Sequence, residues 1–184
     1  MSILDRVQLK EISDEDLPLV LSWRNQDKIK NVMINDKNVS WDEHIAWFEN
    51  LKEKKDLIVL LFYIDDKPLG LVNFKVDSLN EKCEWGFYIG AQEAPRGAGT
   101  IMGFAALNYL FYQLNVRKVC AEVLEYNKKS LTFHDKMGFS IEGKLVKHLR
   151  KNNQFIDVYL LGLLKEQWEQ KKGKINLSIE RTEK

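Results

Sequence analysis

Two cysteines in 184 residues, Cys83 and Cys120, far apart and without CxxC spacing, leave no disulfide framework and no zinc-ribbon ligand set. Each lies in an apolar stretch, which reads as a buried reduced thiol. Net charge is almost absent, since 28 Lys and Arg stand against 27 Asp and Glu. That excludes a general nucleic-acid binder held by bulk charge, so any phosphate must be bound locally. No apolar run approaches the ~20 residues that span a bilayer. The opening MSILDRVQLK lacks a charged start followed by an apolar stretch, so the expectation is an unexported, cytoplasmic chain with no membrane partner. GxSxG, HExxH, GxGxxG and the Walker lysine loop are all missing, which leaves hydrolysis, nicotinamide redox chemistry and metal catalysis without a supporting constellation. No metal site is predicted.

What is present suits one ordinary domain. At 45% hydrophobic and 11% aromatic residues the chain can fill a single core, and a domain of this size buries roughly 70% of its unfolded surface. The expected boundaries are residues 1–170 for the domain and 171–184 for a short polar tail. Val7 to Ile12 reads as extended, and Ser13 or Asp14 caps a helix reaching about Asn25 with Leu17, Leu21 and Arg24 on one side. Ser40 to Glu43 fits a capping box and opens a second helix. LIVLLFYI, LGLVNFKV and CEWGFYIG follow as strands, then the loop APRGAG, an apolar helix, a strand at Arg117 to Leu124, a helix from Asn127 to Met137, and two strands around Lys151 to Asn153. This order matches neither pure βαβ repetition nor an all-β sandwich; it predicts an α/β (α+β) fold with a mixed sheet and helices on both faces.

The informative stretch runs from Glu84 to Leu114. Arg96, Gly97, Ala98 and Gly99 fall between a strand end and a helix start, where unpaired amides and the helix dipole make an anion site. A glycine pair before a helix is also a plain structural turn, so this loop alone names no ligand.

Arg96-Gly97-Ala98-Gly99-Thr100-Ile101 resembles the Q/RxxGxG/A pyrophosphate loop of the GCN5-related N-acetyltransferases, departing from it at Ile101. EVLEYNKKSLTFHDKMGF, Glu122 to Phe139, resembles that family's second coenzyme segment. The resemblance covers the C-terminal two thirds of the chain. It implies a mostly antiparallel sheet of about seven strands and direct transfer of acetyl from acetyl-CoA to an amine. It further implies coenzyme contacts at Ile89, Arg96, Gly97, Ala98, Gly99 and Thr100, with Asn127 and Ser130 beside the pantetheine arm. His134 stands where many members carry the Tyr that protonates the departing thiolate. A His near its ordinary pKa of ~6.5 can donate that proton, and it can equally be a helix-surface residue without a role; Tyr126 and Tyr88 are the substitutes.

Strand alternation puts Glu84, Gly86 and Tyr88 on one face, where a carboxylate and a phenol can serve an amine that must lose a proton. Glu84 can also be a surface carboxylate beside a Lys. Asn73 and Lys75 share a side of the preceding strand. In the N-terminal third, LSWRN (Leu21 to Asn25) and EHIAW (Glu43 to Trp47) resemble the acetyltransferases of the pseudaminic-acid pathway, which act on the 4-amino group of a UDP-linked amino-dideoxy sugar. A diphosphate needs cationic donors, and Arg24, His44 and Lys75 are candidates, with Asn73 and Tyr88 also at the acceptor. The bland alternative makes Trp23 and Trp47 core. Two rival functions stay open at this point, a protein N-terminal acetyltransferase and a non-catalytic acyl-CoA-binding module. The partners expected are acetyl-CoA and a small-molecule nucleotide sugar, with no nucleic acid and with a homodimer left open.

Overall fold

The computed structural model describes residues Ser2 to Thr182. Its strands are β1 (Val7–Glu11), β2 (Leu57–Ile64), β3 (Lys67–Asp77), β4 (Lys82–Ile89), β5 (Lys118–Leu124), β6 (Ser140–Lys151) and β7 (Gln154–Leu164). The helices are α1 (Leu17–Arg24), α2 (Asp27–Lys30), α3 (Trp41–Glu53), α4 (Ala98–Asn108), α5 (Lys128–Met137) and α6 (Lys165–Thr182). The seven strands form one sheet in the order β1-β2-β3-β4-β5-β7-β6. Every neighbouring pair is antiparallel except β4 with β5. The tight turns follow from residues that accept left-handed backbone: Asp65 and Asp66 (φ 51° and 60°) join β2 to β3, and Asn152 and Asn153 (φ 48° and 60°) join β6 to β7.

Period-two alternation divides the apolar side chains between the two faces. Leu60, Phe62, Val72, Phe74 and Trp85 face α4, α5 and α6, whereas Val59, Leu61 and Leu71 face α1 and α2 with Val20, Trp23 and Ile29. The α1 stripe is therefore Leu17, Val20 and Trp23, one position off the expected Leu17, Leu21 and Arg24, and Arg24 is left at the margin of a cleft. Trp23 is core as the bland reading had it; its indole lies where a Cβ at Gly90 would collide with it.

Of residues 171–184, expected as a polar tail, 171–182 are the last two thirds of α6 and 183–184 lie outside the described residues. Trp168, Ile175 and Ile179, spaced by seven and four, form one stripe, and they are 0%, 3% and 3% exposed against the core. The polar remainder of that segment is the helix's solvent side. No helix among the described residues is long and apolar enough to cross a membrane.

One discontinuity of the sheet positions the chemistry. β4 pairs with β5 only over Lys82–Glu84 against Lys118–Cys120, although β4 continues to Ile89 and β5 to Leu124. Beyond that point the strands diverge, β4 staying with β3 and β5 with β7. The sheet opens a wedge whose β4 wall is Gly86 to Ile89, and backbone groups there that face β5 have no ladder partner.

Candidate active site

The chain leaves β4 at the mouth of the wedge and enters α4 through Gly97, whose φ of 89° needs glycine. No side chain caps α4. The Ala98 amide donates to the Pro95 carbonyl (3.0 Å), but the amides of Gly99 and Thr100 have no backbone partner among the described residues. A Cβ built on Gly99 meets nothing within 4 Å, so the space above these amides is open. From α5, Lys136 Nζ reaches Thr100 Oγ1 (3.0 Å), which adds a cation to the exposed Arg96 at this helix end. Unpaired amides, open space and flanking cations fit the diphosphate of coenzyme A. Ile101, where the loop departs from the family pattern, is 4% exposed in the core and does not face that space.

Across the wedge, Asn127 is the N-cap of α5, its Oδ1 accepting the Ser130 amide at 3.2 Å. That oxygen is thus committed to the helix, and Nδ2 is the group left to meet a ligand. Tyr126, a substitute proton donor in the sequence reading, donates its hydroxyl to the Asn31 carbonyl (2.9 Å).

His134 is corrected by its surroundings. It is 3% exposed and boxed by Trp85, Phe87, Phe133 and Phe139. Trp85 Nε1–H donates to His134 Nε2 (3.2 Å), which assigns the proton to Nδ1, and Nδ1 donates to the Ser130 carbonyl (2.8 Å). Burial lowers its pKa from 6.5 to about 4. The ring is neutral at physiological pH with both nitrogens engaged, so it has no proton to give a leaving thiolate.

On the opposite face a cleft of about 380 Å³ lies between the sheet and the N-terminal helices. Four residues proposed from sequence line it together: Arg24, His44, Asn73 and Tyr88. Arg24 Nη2 donates to the Asn35 carbonyl, while Nη1 is buried with no hydrogen-bond partner among the described residues. His44 is 4% exposed and bonds the Leu17 carbonyl through Nε2 at 3.0 Å. A carbonyl only accepts, so the proton is on Nε2 and Nδ1 carries the lone pair. Burial lowers the His44 pKa, so the ring is uncharged at neutral pH. Burial raises the Tyr88 phenol far above its usual value, the nearby Arg24 opposing only in part; Tyr88 therefore keeps its proton.

Glu84 and Lys75 are not brought to this cleft. They occupy paired positions of β4 and β3 and line a separate polar cavity with Asp56, Asp77 and Lys82. Glu84 precedes Tyr88 by four strand residues, ~13 Å, so its proposed role as base and that of Lys75 as a diphosphate contact have no support in the geometry.

The acetyltransferase (GNAT) domain family matches residues 6–140. The chain belongs to that family. It is accordingly an N-acetyltransferase that takes its acetyl group from acetyl-CoA. Among curated relatives, the acetyltransferase PseH of Campylobacter jejuni is 27% identical over 131 residues, 71% of this chain and 81% of its own length. Spermidine N(1)-acetyltransferase of Escherichia coli is 22% identical over 163 residues, 88% of either chain. Among solved structures, spermidine N-acetyltransferase from Vibrio cholerae in complex with CoA and spermine superposes with a TM-score of 0.83 at 20% identity, covering 90% of this chain and 99% of that one. The seven-stranded sheet and its flanking helices match that GNAT neighbour, as the sequence led one to expect.

Beside the GNAT coenzyme segments, sequence reasoning missed one wall of the cleft. Met33, Asn35, Lys37, Asn38 and Val39 come from the loop between α2 and α3, and Trp47, which the bland alternative made core, is 37% exposed and stacks on His44 (5.1 Å, 16°). A loop has no periodicity to announce it. The four consecutive polar or charged residues Asn35 to Asn38 were the one available signal. Among the described residues no group of three His, Cys, Asp or Glu side chains is placed to hold a metal ion.

Proposed function

We propose that this GNAT enzyme acetylates the primary amine of a nucleotide-linked amino sugar, with the 4-amino group of a UDP-linked amino-dideoxy sugar as the specific acceptor. The observation that carries the reading is the charge of the cleft. Its lining holds two cations, Arg24 and Lys37, and one carboxylate, Glu43. Glu43 is committed to its own helix, accepting the Ser40 amide at 2.7 Å, a bond that with Ser40's side chain holds its pKa low. Arg24 offers an unpaired guanidinium nitrogen. A diphosphate satisfies that group, whereas a polyamine brings further positive charge to it. The exposed face of Trp47 adds an aromatic platform for a sugar or base. The PseH likeness points the same way.

In this reading Arg24 holds the acceptor's phosphates. Neutral His44, with a lone pair on Nδ1, replaces Glu84 as the group that takes the amine's proton, directly or through water. Tyr88 serves as a hydrogen-bond donor, since its raised pKa makes it a poorer acid than an ordinary phenol. The open amides of Gly99 and Thr100 hold the coenzyme's diphosphate.

The test is release of free thiol from acetyl-CoA with a UDP-4-amino-4,6-dideoxy sugar, with spermidine and with an N-terminal peptide in separate reactions. Turnover with the sugar is expected. Turnover with spermidine or peptide alone overturns the acceptor, and no turnover with any amine is the outcome of the non-catalytic rival.

A further inference from the structure

The far hairpin of the sheet reaches back to the cleft through one buried cation. Lys151 ends β6, where it pairs with Gln154 across the Asn152–Asn153 turn. Its side chain is only 6% exposed. The ammonium donates to the carbonyls of Met33 (2.6 Å) and Asn31 (3.4 Å) and lies 3.3 Å from Asp36 Oδ2, with the Tyr126 ring 5.7 Å away. The Tyr126 hydroxyl bonds the same Asn31 carbonyl. A buried ammonium is stable only when such oxygens replace its water, and here all three come from residues 31–36.

Those residues begin the loop that walls the acceptor cleft. Its other anchors are local: Asn25 exchanges two hydrogen bonds with Val39 (2.8 and 2.9 Å), Lys30 reaches Asn38 (2.8 Å), and Arg24 reaches Asn35. Among the described residues, Lys151 and Tyr126 alone tie it by hydrogen bonds to the sheet's other end, and Tyr126 precedes Asn127 of the coenzyme segment. We infer that Lys151 is a positioning residue for the acceptor: it fixes the 31–39 loop so that Arg24 and the loop side chains are preorganised against the wedge. The inference rests on the cleft being the acceptor site. Without this anchor the loop must be ordered when the acceptor binds, which weakens binding without touching the coenzyme cradle.

The experiment compares Lys151→Met, Lys151→Arg and Arg24→Ala in the full chain. It reads KM and kcat for the UDP-4-amino sugar, the acetyl-CoA dissociation constant, and amide hydrogen exchange over residues 31–39. Lys151→Met is expected to raise acceptor KM by about tenfold or more, to leave acetyl-CoA binding unchanged, and to speed exchange in the loop. Lys151→Arg should recover most of both. Unchanged KM in Lys151→Met beside raised KM in Arg24→Ala overturns this inference alone; unchanged KM in both overturns the reading of the cleft on which it rests. If the wild type does not turn over the sugar, exchange decides: a loop no faster in Lys151→Met overturns the anchor. Should Lys151→Met not fold, as lost acetyl-CoA binding would show, Asp36→Ala loosens the same anchor from its exposed side and is read by the same outcomes.

Discussion

The Trp85 indole N–H donates to His134 Nε2 at 3.2 Å, and this bond removes His134 from the proton traffic of the reaction. It fixes the tautomer, uses the one lone pair of the neutral ring, and locks α5 to β4 at the wedge. The residue that stands at the family's tyrosine position is here a structural histidine. The proton for the leaving thiolate must therefore come from another donor, whereas the amine's own proton is a separate transfer, which the proposed function gives to His44 on the opposite sheet face.

The consequence for stability has a definite sign. His134 titrates near 6.5 unfolded and about 4 folded, so between those values the unfolded chain binds the extra proton. Stability from this residue is intact above pH 6.5 and declines by up to about 3 kcal/mol as pH falls to 4. Urea titrations across that range should show the decline in the wild type and a shallower one in His134→Phe. The same variant should keep the wild-type dependence of rate on pH above neutrality, because no imidazolium is lost there.

The coenzyme loop separates a fold effect from a ligand effect. Gly97→Val forces a β-branched residue to φ near 89° and should lower Tm. Gly99→Val enters open space, and Val is a somewhat better helix former than Gly, so folding should not be weakened. It should nevertheless weaken acetyl-CoA binding about tenfold or more, because the new methyls occupy the phosphate's place. Calorimetric titration of acetyl-CoA beside a thermal melt checks both. Unaltered binding in Gly99→Val contradicts the cradle.

Much of this was legible in the chain because local signals and global fold agree. Ser40 and Glu43 form the expected capping box, and Asn127 and Gly138 bound α5 as its N-cap and left-handed C-cap. What was not legible has physical causes. Trp168, Ile175 and Ile179 are too sparse among lysines and glutamates to signal a buried stripe. Glu84 and Tyr88 do share a face, but which part of a face becomes a cleft depends on helices distant in sequence. His134 reads as exposed because burial of a histidine requires Trp85, 49 residues away, to satisfy it.

The C-terminal helix offers a direct check on the domain boundary. Ile175→Ala should cost about 2–5 kcal/mol by opening a void in the core, measurable as a lowered urea midpoint. Loss of under about 0.5 kcal/mol would restore the polar-tail reading.

Under the proposed function, Arg24→Ala removes a charge-assisted phosphate contact. It should raise KM for the UDP-sugar by roughly tenfold to a hundredfold while acetyl-CoA binding holds. His44→Ala should act on kcat. Because burial lowers the folded His44 pKa, the acid-side fall of wild-type kcat should be centred below the ordinary histidine value of about 6.5. A decline centred above that value would point to a different base.

The central claim is that the cationic cleft selects an anionic, nucleotide-linked amine, and competition between acceptors tests it most directly. With acetyl-CoA saturating, kcat/KM for the UDP-4-amino-4,6-dideoxy sugar and for spermidine are measured at neutral pH in low and high salt. The account predicts a preference for the sugar of about a hundredfold or more, narrowing as salt screens Arg24 and Lys37. Equal or better use of spermidine would contradict it.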